Sequence, residues 1–340
     1  MLRLSVIVPT YNNQDTIDEC FSSIKKSHFK NYELIVADCA SEDLTRTIAK
    51  KYVDRVLKFP RGCGRNYARR MGAQAAGADI IVNIDSDILI KEDTLEIIAD
   101  YFSAHHDCDA ITGSLSKTHP NNDFFSQYKN LYMHYRFSRL PSRVGFLYGA
   151  IFAFRKHLAA LYDKNVSVAD DTAFGRNLVS RGKIIAFLND LQVMHLKRYD
   201  FFGLMRNDFV IASDWANIFL KHRAWRFIAR EKGFAHSSLG QMCSILIVFL
   251  VCGFFALYFL SGVSIVFLWC ALLLWVFFNV RFFSFLGREK GPVFFLFSCV
   301  TSFLTDIAKA AGIACGVGTF VACFMQKGHK RKCFAVSADK

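Results

Sequence analysis

From Ser237 to Val280 the chain runs for 44 residues without an aspartate, glutamate, lysine, arginine or histidine. One membrane-crossing helix needs about 20 apolar residues, so the stretch has room for two. Ser261-Gly262 interrupts it near its middle, giving candidate spans Leu239–Leu260 and Val263–Val280. A membrane suits such a stretch better than a soluble hairpin does. Further on, Val293–Met325 holds only Asp306 and Lys309 as charges, on one helical face with Gly312 and Gly316. That stripe is expected to pack against protein rather than lipid. A single long helix here would strand Lys327, Lys330, Arg331 and Lys332 on the wrong side for the positive-inside tendency. The segment is therefore expected to bend or re-enter and to return the tail, ending at Lys340, to the cytoplasm.

The start of the chain lacks the marks of a signal peptide. Leu4-Ser5-Val6-Ile7-Val8 is too short for an apolar core region and runs into Pro9. The soluble part is accordingly expected in the cytoplasm, with the whole chain a multi-pass protein of the cell membrane. The 11 cysteines show no Cys-x-x-Cys pair and no His-spaced metal pattern, so most read as small apolar residues in a reducing compartment. The net charge of +13 does not point to nucleic acid. Lys197, Arg198, Arg206, Lys221, Arg223, Arg226, Arg230 and Lys232 gather before the first span, where they suit anionic headgroups, and no nucleic-acid motif accompanies them. From Tyr199 to Arg230 aromatics interleave with these bases (Phe201, Phe202, Met205, Phe209, Trp215, Phe219, Trp225, Phe227), a pattern suited to helices in a membrane interface.

Up to about Val193, short apolar runs alternate with helical patterns. Strands are predicted at Leu4–Val8, Tyr32–Ala37, Val53–Lys58, Ile80–Ile84 and Ala110–Thr112, and helices at Asp15–Lys26, Leu44–Lys51, Gly64–Ala76 and Thr94–Ala104. The alternation implies an α/β fold, Rossmann-like, with a mostly parallel sheet. Asn13 is the expected cap of the first helix, and Thr16, Ile17, Cys20, Phe21 and Ile24 its apolar stripe.

Ligands of open α/β sheets sit outside the carboxyl ends of the strands. Three polar clusters fall there: Pro9-Thr10-Tyr11-Asn12-Asn13, Asp38 through Asp43, and Asp85-Ser86-Asp87. Two aspartates one residue apart repel unless a cation lies between them, and oxygen ligands suit Mg2+ or Mn2+ on a diphosphate. Asp38 is a candidate acceptor for a base N–H and Tyr11 a candidate stacking surface. Arg65, Arg69 and Gly72 share a helix face after the Gly62-Cys63-Gly64 turn, where two arginines suit a diphosphate.

Ser5 through Asn12, Val36-Ala37-Asp38 through Asp43, and Asp85-Ser86-Asp87 resemble, in order and spacing over roughly the first 200 residues, the family 2 glycosyltransferases of the GT-A fold. That family's second loop usually reads Asp-Asp-Gly-Ser. Asp38 and Ser41 match it, while Cys39 and Ala40 depart from it. Its Arg-Asn-x-Gly appears as Arg69-Arg70-Met71-Gly72. Gly149 through Arg155, then Asp170-Asp171-Thr172, Arg176 and Gly182, resemble its acceptor segment, in which the second acid of a Glu/Asp-Asp pair is the general base. The resemblance gives Asp171 that role, helped by Asp170. It puts Pro9, Thr10, Tyr11, Asn12, Asp38, Ser41, Arg65, Arg69 and Asp85 on the donor, and Asp87, Asp85 and His195 on the metal.

The resemblance and the apolar segment together imply an inverting transfer from a UDP- or GDP-sugar to a lipid or polyprenyl-linked acceptor. Alternatives are transfer to a polyprenyl phosphate, as in dolichol-phosphate sugar synthases, or an inactive nucleotide-sugar-binding scaffold. A processive synthase would carry Gln-x-x-Arg-Trp; Arg223-Ala224-Trp225-Arg226 lacks that spacing. The expected layout is a GT-A domain over 1–198, interfacial amphipathic helices over 199–236, transmembrane helices over 237–326 and a basic tail over 327–340.

Overall fold

The computed structural model describes residues 2–53, 55–163, 169–226, 228 and 233–326. Phe227, Arg230, Lys232 and the basic tail, with the expected return of that tail, lie outside the described residues. Two compact units emerge: Met1–Asn122 with Phe137–Lys197, and Asp123–Arg136 with Arg198–Lys332.

The first unit is built on strands β1 (Leu4–Thr10), β2 (Tyr32–Asp38), β3 (Val56–Lys58), β4 (Ile80–Ile84), β5 (Ile88–Leu89), β6 (Ala110–Leu115), β7 (Ile151–Arg155) and β8 (Ile185–His195). They lie in the order β3-β2-β1-β4-β7-β6-β8-β5. β1, β2, β3 and β4 run parallel, as do β6 and β8, while β7 and β5 run against their neighbours. The sheet is mostly parallel, as the alternation predicts. Its central strands are mostly apolar and every residue of β1 and β4 is buried, Ser5, Thr10 and Asn83 being the polar exceptions, as a sheet covered on both faces requires.

Helices α1 (Ile17–Lys25), α2 (Thr45–Ala49), α3 (Gly64–Ala75), α4 (Thr94–Ala104) and α6 (Asp170–Ser180) belong to this unit; α5 (Phe124–Phe137) lies almost wholly in the other. α1 buries Ile17, Cys20, Phe21 and Ile24 of the predicted stripe, while Thr16 stands at its N-cap and is only half-buried. Asn13 does not cap it: the Asn13 side-chain oxygen accepts from Tyr11 N (2.8 Å), and only its backbone oxygen receives Ile17 N (3.0 Å). Sheet and helices enclose an apolar core of Ile7, Ile35, Ile81, Phe152, Phe154 and Phe174 among others.

The second unit holds α5, α7 (Phe201–Lys221), α8 (Leu239–Ser261) and α9 (Ile265–Gln326). Two of these are long and apolar enough to cross a membrane: Leu239–Ser261, mean hydropathy 2.7, and Ile265–Cys323, mean hydropathy 2.1. At about 1.5 Å per residue the second would far exceed one bilayer if it were straight. It is not: Gly291 (φ 83°, ψ 179°), followed by Pro292, breaks it into two arms. The break therefore precedes Val293, and the expected bend within Val293–Met325 is absent; helix continues from there to Gln326. The second span also runs past Val280 through Arg281. Most of the apolar surface of α8 and α9 faces outward, Leu260 being 83% and Phe259 70% exposed, which a water-soluble core helix would not tolerate.

Asp306 and Lys309 do face protein. Lys309 pairs with Asp306 (3.0 Å) and with Asp208 of α7 (3.5 Å), and Asp208 also binds Lys129 of α5. Asp306 accepts from Ser244 Oγ (2.8 Å) and Trp275 Nε1 (3.1 Å). Gly312 and Gly316 give the backbone of α7 its seat: a Cβ at Gly312 would lie 2.2 Å from the Phe209 carbonyl oxygen, and one at Gly316 2.3 Å from that of Ser213. Gly312→Ala should therefore force α7 and α9 apart at a cost of about 1–3 kcal/mol. Thermal unfolding in detergent should show a lowered midpoint, whereas Gly318→Ala, whose Cβ would meet nothing within 4 Å, should leave it unchanged.

Candidate active site

Because β1, β2, β4, β6 and β8 share one direction, their carboxyl ends, together with the amino end of the opposed β7, make a single rim. Thr10, Asp38, Asp85, Asp87, Gly149 and His195 all stand there, and the whole constellation lies within the first unit.

The first corner joins the loops after β1 and β2. Asp38 is fully buried and spends its carboxylate locally, accepting from Thr10 Oγ1 (3.0 Å), Ser41 N (3.1 Å) and Ser41 Oγ. Asn12 N donates to Ser41 Oγ (3.0 Å) and Asn12 Oδ1 accepts from Glu42 N (2.9 Å), stitching one loop to the other. Asp38, expected to meet a base, thus builds the loop that frames this corner, and Tyr11 is its exposed ring at 45%. Pro9, Thr10 and Ser41 are buried beneath it. Ala40 sits at φ 60°, where the resembling family has glycine; an L-residue there costs about 1–2 kcal/mol.

The centre of the rim is a charge cluster. Arg69 of α3 has no exposed side-chain surface and donates to Asp170 (2.7 Å), Asp85 (2.6 Å) and the Gly149 carbonyl (3.0 Å). Arg65, one turn earlier, reaches Asp170 (3.2 Å) and Asp85 (3.6 Å). Arg69 is therefore neither a solvated base nor free for a diphosphate: it clasps the carboxylate after β4 to the one opening α6. Arg65 remains 40% exposed. Asp170, expected to share catalysis with Asp171, is held between these two arginines with its side chain fully buried. Burial would lower the Arg69 cation's hold on its proton, but Asp170 and Asp85 keep it firmly charged.

Asp171, by contrast, is half-buried and, among the described residues, hydrogen-bonded to backbone alone, accepting from Gly149 N (2.5 Å) and its neighbour Thr172 N (2.6 Å). Burial, and then the charge of Asp170, raise its carboxyl above the usual range despite both arginines. Gly149 is where the groups meet. A Cβ there would lie 2.8 Å from Asp171, 3.0 Å from Arg69 and 3.4 Å from Asp85; only glycine leaves them room.

The third corner pairs Asp87 with His195. The antiparallel match of β5 to β8 sets Ile88 opposite His195, and Leu196 N donates to the Asp87 carbonyl (2.8 Å). His195 Nε2 then lies 3.2 Å from an Asp87 carboxylate oxygen, both side chains partly exposed. Burial would raise the Asp87 carboxyl, but His195, by charge and hydrogen bond, with Lys197 and Arg65 behind it, hold it down to about 2. The predicted trio of Asp85, Asp87 and His195 does not close on one point, and no group of three or more such ligands forms among the described residues. Arg69 and Arg65 draw Asp85 aside. An adjacent carboxylate and imidazole nevertheless fit a divalent ion that completes its shell with phosphate oxygens, since ions of this kind are commonly held by one or two protein groups plus substrate.

Cys39 and Cys63, 24 residues apart, are joined by a disulfide. It has no precursor in the amino-acid pattern, because the two loops that carry these cysteines give no spacing signal that would pair them.

The clasp carries a measurable consequence. Arg69→Ala would leave Asp170 buried with its main partner gone, which costs about 3–5 kcal/mol for such pairs. Chemical denaturation should show that loss, and adding Asp170→Asn to the same chain should recover part of it.

Residues 5–161 match the family model described as Glycosyl transferase family 2. Among curated relatives, the poly(ribitol-phosphate) beta-N-acetylglucosaminyltransferase TarS of Staphylococcus aureus is 33% identical over 113 residues, 31% of this chain and 20% of that protein. The dolichol-phosphate mannosyltransferase of Pyrococcus furiosus is 33% identical over 92 residues, 26% of each. The chain thus spans only about a fifth to a quarter of the length of these two relatives. The mannosyltransferase PcManGT of Pyrobaculum calidifontis, solved with GDP-Man and Mn2+, superposes with a TM-score of 0.57 at 18% identity, covering 92% of this chain and 87% of that one. The chain therefore carries a family 2 glycosyltransferase domain of the GT-A fold, followed by long apolar helices.

Proposed function

We propose that this protein is a membrane-bound inverting glycosyltransferase, moving a sugar from a UDP- or GDP-sugar to a lipid-linked acceptor. The observation that carries the reading is the meeting of Asp171, Asp85 and Arg69 around Gly149 on the same rim as the Asp87–His195 pair. The donor nucleotide belongs at the Tyr11 corner, which Asp38, Asn12 and Ser41 hold in shape. Asp87 and His195 would hold Mg2+ or Mn2+, which when bound supplies positive charge to the departing diphosphate. Arg65, partly exposed beside Asp85, adds a cation near the same leaving group. Asp171 takes the proton of an acceptor hydroxyl, and a carboxyl raised above its usual range is a stronger base for that step. Asp170 acts by holding the arginines, not by touching reactants.

Outward-facing apolar helices and the basic residues before them support a membrane and an acceptor borne by lipid, with the catalytic unit on the cytoplasmic side. Of the relatives, one is named for poly(ribitol-phosphate), a polymer, and one for dolichol phosphate, a lipid phosphate. An Asp171 that, among the described residues, is held by backbone N–H groups and not by an arginine favours the hydroxyl, because a polyprenyl phosphate is already anionic and needs no base.

Removal of divalent ions by EDTA should abolish transfer, and Asp87→Asn should nearly do so without lowering the unfolding midpoint; full activity in excess EDTA contradicts the metal assignment. Asp171→Asn should slow single-turnover transfer to a hydroxyl acceptor by about 10²–10⁴-fold and leave most transfer to a phosphate. A base works deprotonated, so wild-type kcat/KM should rise with pH through an acid limb above the usual carboxylate range. That limb should vanish in Asp171→Asn.

A further inference from the structure

The resembling family has an aspartate after the residue matching Asp38, and this chain has a cysteine. Cys39 is buried, and its N–H donates to the Thr10 carbonyl (2.9 Å), fixing it at the junction of the two loops that frame the Tyr11 corner. Its disulfide partner Cys63 lies in the Gly62-Cys63-Gly64 turn and is half-buried. Gly62 and Gly64 both take left-handed φ, 73° and 75°, and the helix bearing Arg65 and Arg69 starts at Gly64. The bond thus ties the loop that shapes one end of the rim to the turn that launches the arginines at its centre. The remaining described cysteines are free thiols, Cys20 and Cys108 in the core and the others in α8 and α9.

We propose that Cys39 and Cys63 form a reversible redox site that sets how firmly the rim holds a nucleotide diphosphate. The proposal rests on the reading of this rim as a donor site. Cys63 is the more accessible sulfur and stands at the amino end of a 12-residue helix, where a thiolate is favoured. It attacks a low-molecular-weight disulfide, releasing one thiol and forming a mixed disulfide. The Cys39 thiolate then attacks the Cys63 sulfur and expels the second thiol. The balance is two protein thiols and one small disulfide giving one protein disulfide and two small thiols. The small disulfide takes the two electrons, and the two cysteine protons pass to the released thiolates. Reduction runs the same steps backwards. With the bond closed, the loop at Asp38 and the turn at Gly62 and Gly64 are ordered before the nucleotide arrives. With it open, binding must order them, and that cost appears as weaker affinity.

The test equilibrates the full chain in detergent with buffers of graded reduced and oxidised glutathione. Acid-quenched digests are then searched by mass spectrometry for the linked Cys39–Cys63 peptide. Binding of UDP and of GDP with Mn2+ is measured calorimetrically at both extremes. The linked peptide should appear and disappear reversibly, and the oxidised form should bind one nucleotide at least about threefold more tightly. Cys63→Ser should keep the reduced form's affinity in both buffers. Equal affinity of the two redox forms, or no linked peptide in any buffer, overturns the redox site while leaving the donor site standing. Failure of both nucleotides to bind either form overturns the donor-site reading and the proposal with it.

Discussion

A buried guanidinium organises this catalytic unit. Arg69 has been taken wholly out of water, which is costly unless every charge around it is answered. It is answered by Asp170 on one side and by Asp85 and the Gly149 carbonyl on the other. Three separate stretches of chain, the strand end after β4, the approach to β7 and the start of α6, are thereby fixed to one helix. This fixes the division of labour among the carboxylates. Asp170 is consumed in holding the arginines and Asp85 is drawn aside, so among the described residues Asp171 is left with backbone partners and Asp87 with His195. Two acids adjacent in sequence acquire different environments because one points at the clasp and the other does not.

Much of this was readable in the sequence. Alternating apolar runs identify β1, β2, β4 and the parallel sheet, since burial on both faces demands continuous apolar strands, and Thr94–Ala104 forms the helix that its periodicity predicts. The rim positions of Asp85, Asp87 and His195 follow from strand ends. Their partnerships do not, because they depend on non-local packing. Nothing local tells a helix arginine that it will be buried rather than face a ligand, or an Asp after a strand that it will turn inward to Ser41 and Thr10. The pairing of Asp87 with His195 needs β5, two residues long, to lie beside the end of β8, and so short a strand has no signature. The Cys39–Cys63 bond is likewise a product of the third dimension.

The helical unit obeys the same logic with different materials. Much of the outward surface of α8 and α9 is apolar, and the unit's interior keeps Lys129, Asp208, Asp306 and Lys309 together with Ser244 and Trp275. Charges buried among apolar helices persist when each finds an opposite charge or a hydrogen bond. The glycine stripe on α9 lets the α7 backbone come close, so packing there depends on backbone proximity more than on interlocking side chains. The Gly291-Pro292 break turns a helix too long for one bilayer into two arms of usable length.

In the proposed function the rim holds a nucleoside diphosphate through an ion bound by two protein groups, Asp87 and His195. Such a site is incomplete without phosphate oxygens. Electron paramagnetic resonance of Mn2+ titrated into the protein tests this directly, with and without UDP or GDP. Mn2+ alone should be taken up weakly and, once one nucleotide is present, much more tightly, with that gain lost in Asp87→Asn. Mn2+ binding that is indifferent to both nucleotides, or a gain that survives Asp87→Asn, would contradict it.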